Sequence, residues 1–268
     1  MRPLFRPTIC IVLSPASCLL YLDPVIILFT DFGLEDPYIG QMQAVLQRDA
    51  PGVPQVNLFA KAPNFDPHAG AYLLAAYTDE FPVDTVFLAV VDPGVGGDRR
   101  PCVVRADGRW FIGPDNGLFN VIAMRAQALE WWDIDWRPAR LSASFHGRDL
   151  FAPVAARIAR GDAVPGREVA PEARIRPGWP PELAQVIYID HYGNAMTGIR
   201  AASLEGDVEL EVGVHRLRRA ETFSAVATGE AFWYENANGL VEIAVNQGHA
   251  ATRLGLSLGE RVHFTGRL

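Results

Sequence analysis

The sequence predicts an α/β protein with a smaller all-β domain on its C-terminal side, and three observations carry that reading. From Val25, apolar runs of strand length alternate with segments of helical period, which implies a largely parallel sheet covered by helices. After Gln185 the period falls to two, as in Val208-Glu-Leu-Glu-Val-Gly-Val, and Asn238-Gly239 stands between two apolar runs as a hairpin turn. Between the two, residues 161–184 hold five prolines and little periodicity. The 268 residues suffice for two cores. The expected organisation is an extension over 1–24, an α/β domain over 25–165, a linker over 166–184 and a β domain over 185–268.

Residues 1–24 open with Arg2 and Arg6 and run into a broken apolar stretch, Ile9–Leu22, interrupted by Ser14, Pro15 and Ser17. It is shorter than the ~20 clean apolar residues of a membrane span. A weak signal peptide is one reading; an extension ahead of a domain starting at Val25 is the preferred one. The α/β domain then reads as strand Val25–Phe29, helix Asp36–Arg48, strand Gln55–Phe59, helix His68–Tyr77 and strand Thr85–Val91. Two short strands follow around Cys102–Arg105 and Trp110–Ile112, then helix Leu118–Arg125, a strand near Leu129–Trp132 and a helix near Asp149–Arg160. In the β domain the strands are Val208–Val214, Ala231–Tyr234, Leu240–Val245 and Arg261–Phe264.

Composition narrows the function. Net charge is −7, the isoelectric point is near 5.4, and no cluster of basic residues is interleaved with aromatics, which argues against a nucleic-acid or membrane partner. A small-molecule ligand and a cytoplasmic location are the expectation. Cys10, Cys18 and Cys102 show no spacing suited to zinc or a disulfide scaffold.

Chemistry-bearing residues gather at predicted strand ends, where ligands of open α/β sheets lie. Asp92-Pro-Gly-Val-Gly-Gly-Asp-Arg99-Arg100 follows the strand Thr85–Val91 and places an acid at its mouth. Thr30-Asp31-Phe-Gly-Leu-Glu-Asp36 closes the first strand; Asp36 reads equally as a helix N-cap or a ligand contact. Gly113-Pro-Asp115-Asn-Gly and Phe145-His146-Gly-Arg-Asp occupy two further strand-to-helix junctions, the former with a strong reading as an Asx turn. Gly94-Val-Gly-Gly is not the dinucleotide fingerprint, since Arg99 stands where its third glycine belongs. In the β domain, Asp190-His-Tyr192-Gly-Asn194 and Tyr234-Glu-Asn-Ala-Asn238-Gly set aromatic rings and amides near turns, a purine clamp in outline.

Taken in order, these motifs, with Asn-Gly-Leu-Val-Glu-Ile-Ala-Val-Asn at 238–246, resemble the S-adenosylmethionine hydroxide adenosyltransferase family, the hydrolytic relatives of the fluorinases and chlorinases. The resemblance runs from about Val25 to the C-terminus. It implies a C-terminal β-barrel, a homotrimer with the ligand between one subunit's N-terminal domain and its neighbour's C-terminal domain, and cleavage of S-adenosylmethionine to adenosine and methionine without a cofactor or metal. By position it implies water handling by Asp92, Arg99 and His146 and ribose binding by Asp31. Asp36 and Phe65 map near the ligand, and Asp190, Tyr192, Asn194 and Asn238 map onto contacts to its methionine and adenine portions. Two positions depart from the family pattern: Ala237 and His249 stand where serine is frequent.

The chemistry agrees. A sulfonium is already a good leaving group, so attack at C5′ needs an oriented water and a fixed approach line. Where halogenases carry Tyr, Thr and Ser, this chain has Asp92, Val95 and Gly147; a carboxylate repels halide but accepts a proton from water. Three alternatives remain open on sequence: halogenase-type substitution, a metal-dependent hydrolase using Asp31, Asp92, Asp115 and His146, and a non-catalytic nucleoside-binding protein.

Overall fold

The computed structural model describes residues 24–206 and 208–265. The reading of residues 1–24 as an extension therefore falls almost wholly outside the described residues.

Strand β1 (Ile26–Thr30) and β3 (Val86–Val90) are buried at every position, as their unbroken apolar runs require of strands covered on both faces. They form the middle of a seven-stranded sheet with β2 (Gln55–Phe59), β4 (Pro101–Ala106), β5 (Arg109–Pro114), β6 (Leu129–Ile134) and β7 (Gly166–Val169), in the order β2-β1-β3-β5-β4-β6-β7. Side-chain alternation divides the core. Ile27, Phe29, Phe87 and Ala89 face helices α2 (Pro67–Tyr77) and α3 (Asn120–Arg125), whereas Ile26, Leu28, Val86 and Leu88 face α1 (Tyr38–Asp49) and α4 (Ala152–Ala159).

The sheet is mixed, which corrects the expectation of a largely parallel one. The pairs β1–β2, β1–β3 and β3–β5 are parallel; β4–β5, β4–β6 and β6–β7 are antiparallel. The cause is local. Asp107 and Gly108, with φ of 47° and 82°, join β4 to β5 in a two-residue turn, and such a turn admits only an antiparallel hairpin. β7 lies at the start of the stretch assigned to the linker and extends the sheet by pairing with β6.

Behind Pro180 the chain forms two antiparallel sheets. One is β12-β13-β9-β8 (Ala231–Glu235, Leu240–Val245, Ala195–Arg200, Leu183–Ile189), the other β11-β10-β14 (His215–Leu217, Glu209–Val212, Val262–Thr265), with a short helix α5 (Ala250–Leu254). They enclose a separate core around Trp233, Ile243 and Leu210. The two parts of the chain are packed together: Leu183, Ile187, Met196 and Leu240 join the core beneath α2, and the Tyr72 hydroxyl donates to the Pro180 carbonyl at 2.5 Å. Among the described residues no helix is long and apolar enough to cross a membrane.

Candidate active site

Asp92 stands just beyond the carboxyl end of β3. Two successive turns, Val95 N–H to the Asp92 carbonyl at 3.2 Å and Gly97 N–H to the Gly94 carbonyl at 3.0 Å, curl the loop back so that Arg99 returns over Asp92. Gly96 is required here: it has φ +79°, and a Cβ on it would lie 2.6 Å from the Ala143 carbonyl, on the loop that carries His146. The guanidinium then spans both partners. Arg99 Nε donates to Oδ1 and Oδ2 of Asp92 at 3.0 Å each, and Nη2 donates to Oδ2 at 2.5 Å and reaches His146 Nδ1 at 2.8 Å. Phe151 backs the guanidinium, 5.3 Å from its ring centre.

One contact fixes a proton. Arginine has no acceptor, so His146 Nδ1 must accept, and the ring is the neutral tautomer with its hydrogen on Nε2. Burial and the adjacent Arg99 push the His146 pKa down, which keeps the ring neutral. The pair Asp92–Arg99 is shielded, with side chains 4 % and 10 % exposed.

Asp31, one residue beyond β1, shares this corner because β1 and β3 are neighbours in register, Thr30 against Val90. Burial raises its pKa, and the charge of Asp92 adds to that. Its Oδ2 accepts from the Phe65 N–H at 3.0 Å. Phe65 is an outlier twice over, at φ 58° without being glycine and with its ring 77 % exposed. An aromatic that faces solvent from a strained backbone position, tied to a carboxylate, is not a core residue. Asp31 lines a cleft of about 530 Å³ with Asp36, Lys61, Asn64 and, from the C-terminal part, Tyr188 and Leu258. Asp36 does not cap α1: Pro37 holds that place without a side-chain cap, and Asp36 is exposed on the cleft wall.

The C-terminal candidates form a second group. Asp190 Oδ1 accepts from the Asn194 N–H at 2.8 Å, closing the turn that projects Tyr192, 74 % exposed. With Phe223, Tyr234, Gln247 and His249 they line a separate cleft of about 620 Å³. Behind it sits Glu242, only 2 % exposed, accepting from the Tyr234 hydroxyl at 2.6 Å and from Asn236 Nδ2 at 2.8 Å. Burial raises its pKa. Glu242 escaped notice in the sequence, although a lone acid in the run Leu-Val-Glu-Ile-Ala-Val is a signal that something polar faces it. Asn238 is not brought to this group. It lies in the β12–β13 turn, at the Arg200 end of β9 and opposite to the Asn194 end, on a cleft with Asp79, Arg109 and Arg125.

Of the two departures, Ala237 and His249, the second has a structural task. His249 caps α5, its Nδ1 accepting from the Thr252 N–H at 3.1 Å, which is the task a serine performs at such a position. At Gly147, a Cβ would meet Met42 Sδ at 3.2 Å and two aromatic rings at 3.4 Å, so serine fits there only if those neighbours give way. The four side chains considered as metal ligands do not converge. Arg99 stands between Asp92 and His146, and Asp115 instead faces Arg174 at 3.7 Å while Asn116 ties its loop to the Val91 carbonyl. Among the described residues no group of three or more His, Cys, Asp or Glu is placed to hold a metal.

Residues 26–167 match the SAM hydroxide adenosyltransferase N-terminal domain and residues 184–263 the corresponding C-terminal domain. The chain is 38 % identical over 257 residues to an (R)-S-adenosyl-L-methionine hydrolase of Salinispora tropica, covering 90 % of this chain and 98 % of that protein. A fluorinase of Actinopolyspora mzabensis is 25 % identical over 295 residues, covering 91 % and 98 %. Among solved structures, an uncharacterized conserved protein from Thermotoga maritima superposes with a TM-score of 0.80 at 29 % identity, covering 90 % of this chain and 99 % of that one.

Proposed function

This chain belongs to the SAM hydroxide adenosyltransferase family, and from that premise we propose that it hydrolyses S-adenosyl-L-methionine to adenosine and L-methionine by attack of water at the ribose C5′. The observation that carries the reading is the guanidinium of Arg99 bridging a shielded Asp92 and a neutral His146 beside Asp31.

In this mechanism Asp31 accepts hydrogen bonds from the ribose diol, and Phe65 offers its exposed ring to the ligand. A water beside the triad gives a hydrogen bond to Asp92 and receives one from Nε2–H of His146, with the Arg99 charge favouring its hydroxide character. The C5′–O bond forms as the C5′–S bond breaks, the electron pair leaves on sulfur as the methionine thioether, and one proton is released to solvent. No group beyond the substrate and these side chains takes part, and no cofactor or metal enters the steps. Identity falling from 38 % for the hydrolase to 25 % for the fluorinase, with a carboxylate at Asp92, favours water over halide.

The reading includes a homotrimer. Asp31 and Asp36 line one cleft, whereas Asp190, Tyr192 and Asn194 line another, so a ligand touching both sets calls for a neighbouring copy. It also includes closure of the two C-terminal sheets into a barrel, supported by single-residue bridges between Gln185 and Arg261 and between Arg219 and Trp233. The domain limits 25–165 and 185–268 belong to the same reading. Asn238, at the far end of β9, is then the weakest of the proposed contacts. Chromatography of protein incubated with S-adenosylmethionine should show equal amounts of adenosine and methionine, and light scattering about three times 29.4 kDa. Intact substrate after long incubation would overturn the activity, and an active monomer would overturn the shared site.

A further inference from the structure

A cleft of about 790 Å³, larger than either described above, opens on the side of the sheet covered by α1 and α4. Its walls come from Arg48 and Asp49 at the end of α1, Arg157 and Arg160 at the end of α4, the segment Trp136–Arg140, and Arg148 with Asp149. Five arginines in one concavity is an uneven distribution for a chain of net charge −7.

Three of the five are matched locally. Arg48 pairs with Asp49 at 2.6 Å, Arg148 with Asp149 at 2.6 Å, and Arg160 with Asp162 at 2.5 Å. Arg140 and Arg157 form no ion pair among the described residues, although Arg157 acts on Asp49 and Arg140 on Asp149 from farther off; Arg157 lies over the Trp136 ring at 4.2 Å. Five arginines against three carboxylates leave an excess of two positive charges, beside a space of the size that holds small metabolites. Guanidinium forks match the oxygens of phosphate in pairs, and a phosphate group at neutral pH supplies the two negative charges required.

We propose that this cleft binds a phosphate-bearing small molecule through Arg140 and Arg157. The site is independent of the chemistry at Asp92. Arg148 and Asp149 form one of its walls, but they also brace the loop that carries His146, through Asp149 Oδ2 accepting from the Ser142 N–H at 2.8 Å and Arg148 donating to Gln41 at 2.8 Å. The test therefore leaves them intact.

Isothermal titration of the full chain with sodium pyrophosphate at low salt tests the proposal. The wild type should bind with a submillimolar Kd, weakening as salt rises. Arg140→Gln/Arg157→Gln should bind about tenfold or more weakly while hydrolysing S-adenosylmethionine at the wild-type rate, which also reports that it is folded. Should the double variant unfold, Arg140→Gln alone, at an exposed position, is expected to weaken binding by about threefold. No heat from wild type up to about 10 mM pyrophosphate, or unchanged affinity in a folded variant, overturns the site.

Discussion

Replacing Arg99 by lysine separates charge from geometry at the centre of the site. The guanidinium makes three contacts to Asp92 and one to His146, all from Nε and Nη2. An ammonium keeps the charge but is a single point, so it cannot reproduce the fork and the bridge together. At least the His146 contact and one Asp92 contact are lost. With the two side chains only 4 % and 10 % exposed, water substitutes poorly for them. At about 1.5 kcal/mol for each of two hydrogen bonds to a charged group, the loss is about 3 kcal/mol, or ~10²-fold in rate. In the proposed mechanism the triad orients water rather than the nucleoside, so the loss should fall on kcat, with KM changed by less than about threefold. The assay is steady-state release of adenosine at saturating substrate, on a variant whose urea midpoint matches the wild type. A kcat within about threefold of wild type would refute the argument that the bridge matters, and a loss carried by KM would move Arg99 into substrate binding.

His146 sets a pH dependence whose sign follows from its lowered pKa. Between that lowered value and the ordinary 6.5, the unfolded chain binds the proton and the native ring does not, so stability should fall as pH drops below 6.5; urea unfolding across pH 5 to 7 checks this. Turnover should fall at lower pH still, once the native ring protonates and Nδ1 can no longer accept from Arg99, and this limb of kcat should disappear in His146→Asn. For Asp31→Asn, adenosine binding measured by titration should weaken by about 1–3 kcal/mol, the range for a charge-assisted hydrogen bond; unchanged affinity would remove Asp31 from the ribose. Glu242→Gln puts an amide where Tyr234 and Asn236 both donate, leaving a buried donor facing a donor. It should cost about 1–3 kcal/mol in unfolding free energy and raise KM more than it lowers kcat, and a variant as stable as wild type would show the network to be slack.

How far the sequence foretold these features depends on how local their causes are. β1 and β3 were legible because burial on both faces demands unbroken apolar runs, and the hairpin at Asn238-Gly239 because its turn chemistry is confined to two residues. The antiparallel β4–β5 pair is encoded just as locally, in Asp107-Gly108, but a two-residue signal is outweighed by the alternation of strand and helix period, which points to a parallel sheet. Asp92, Arg99 and His146 were identifiable as residue types at strand ends. Their bridging was not, since it depends on Gly96 letting its loop press against Ala143, 47 positions away in sequence and adjacent only through the fold. Phe65 carries no sign of a positive φ in its side chain, and Glu242 draws its meaning from Tyr234 on the neighbouring strand. The distance between Asn238 and the Asn194 turn is set by the β9–β13 register, which no single motif encodes.

The central claim is that Asp92, Arg99 and His146 deliver water, and not halide, to C5′. Incubation with S-adenosylmethionine in ¹⁸O-water, with chloride or fluoride added in excess, followed by mass spectrometry of the nucleoside, tests it most directly. The expected product is adenosine carrying one solvent oxygen at C5′ and no halogenated nucleoside, because a carboxylate at Asp92 accepts a proton from water and repels an anion. Adenosine without the label, or a 5′-halogenated product, would contradict it.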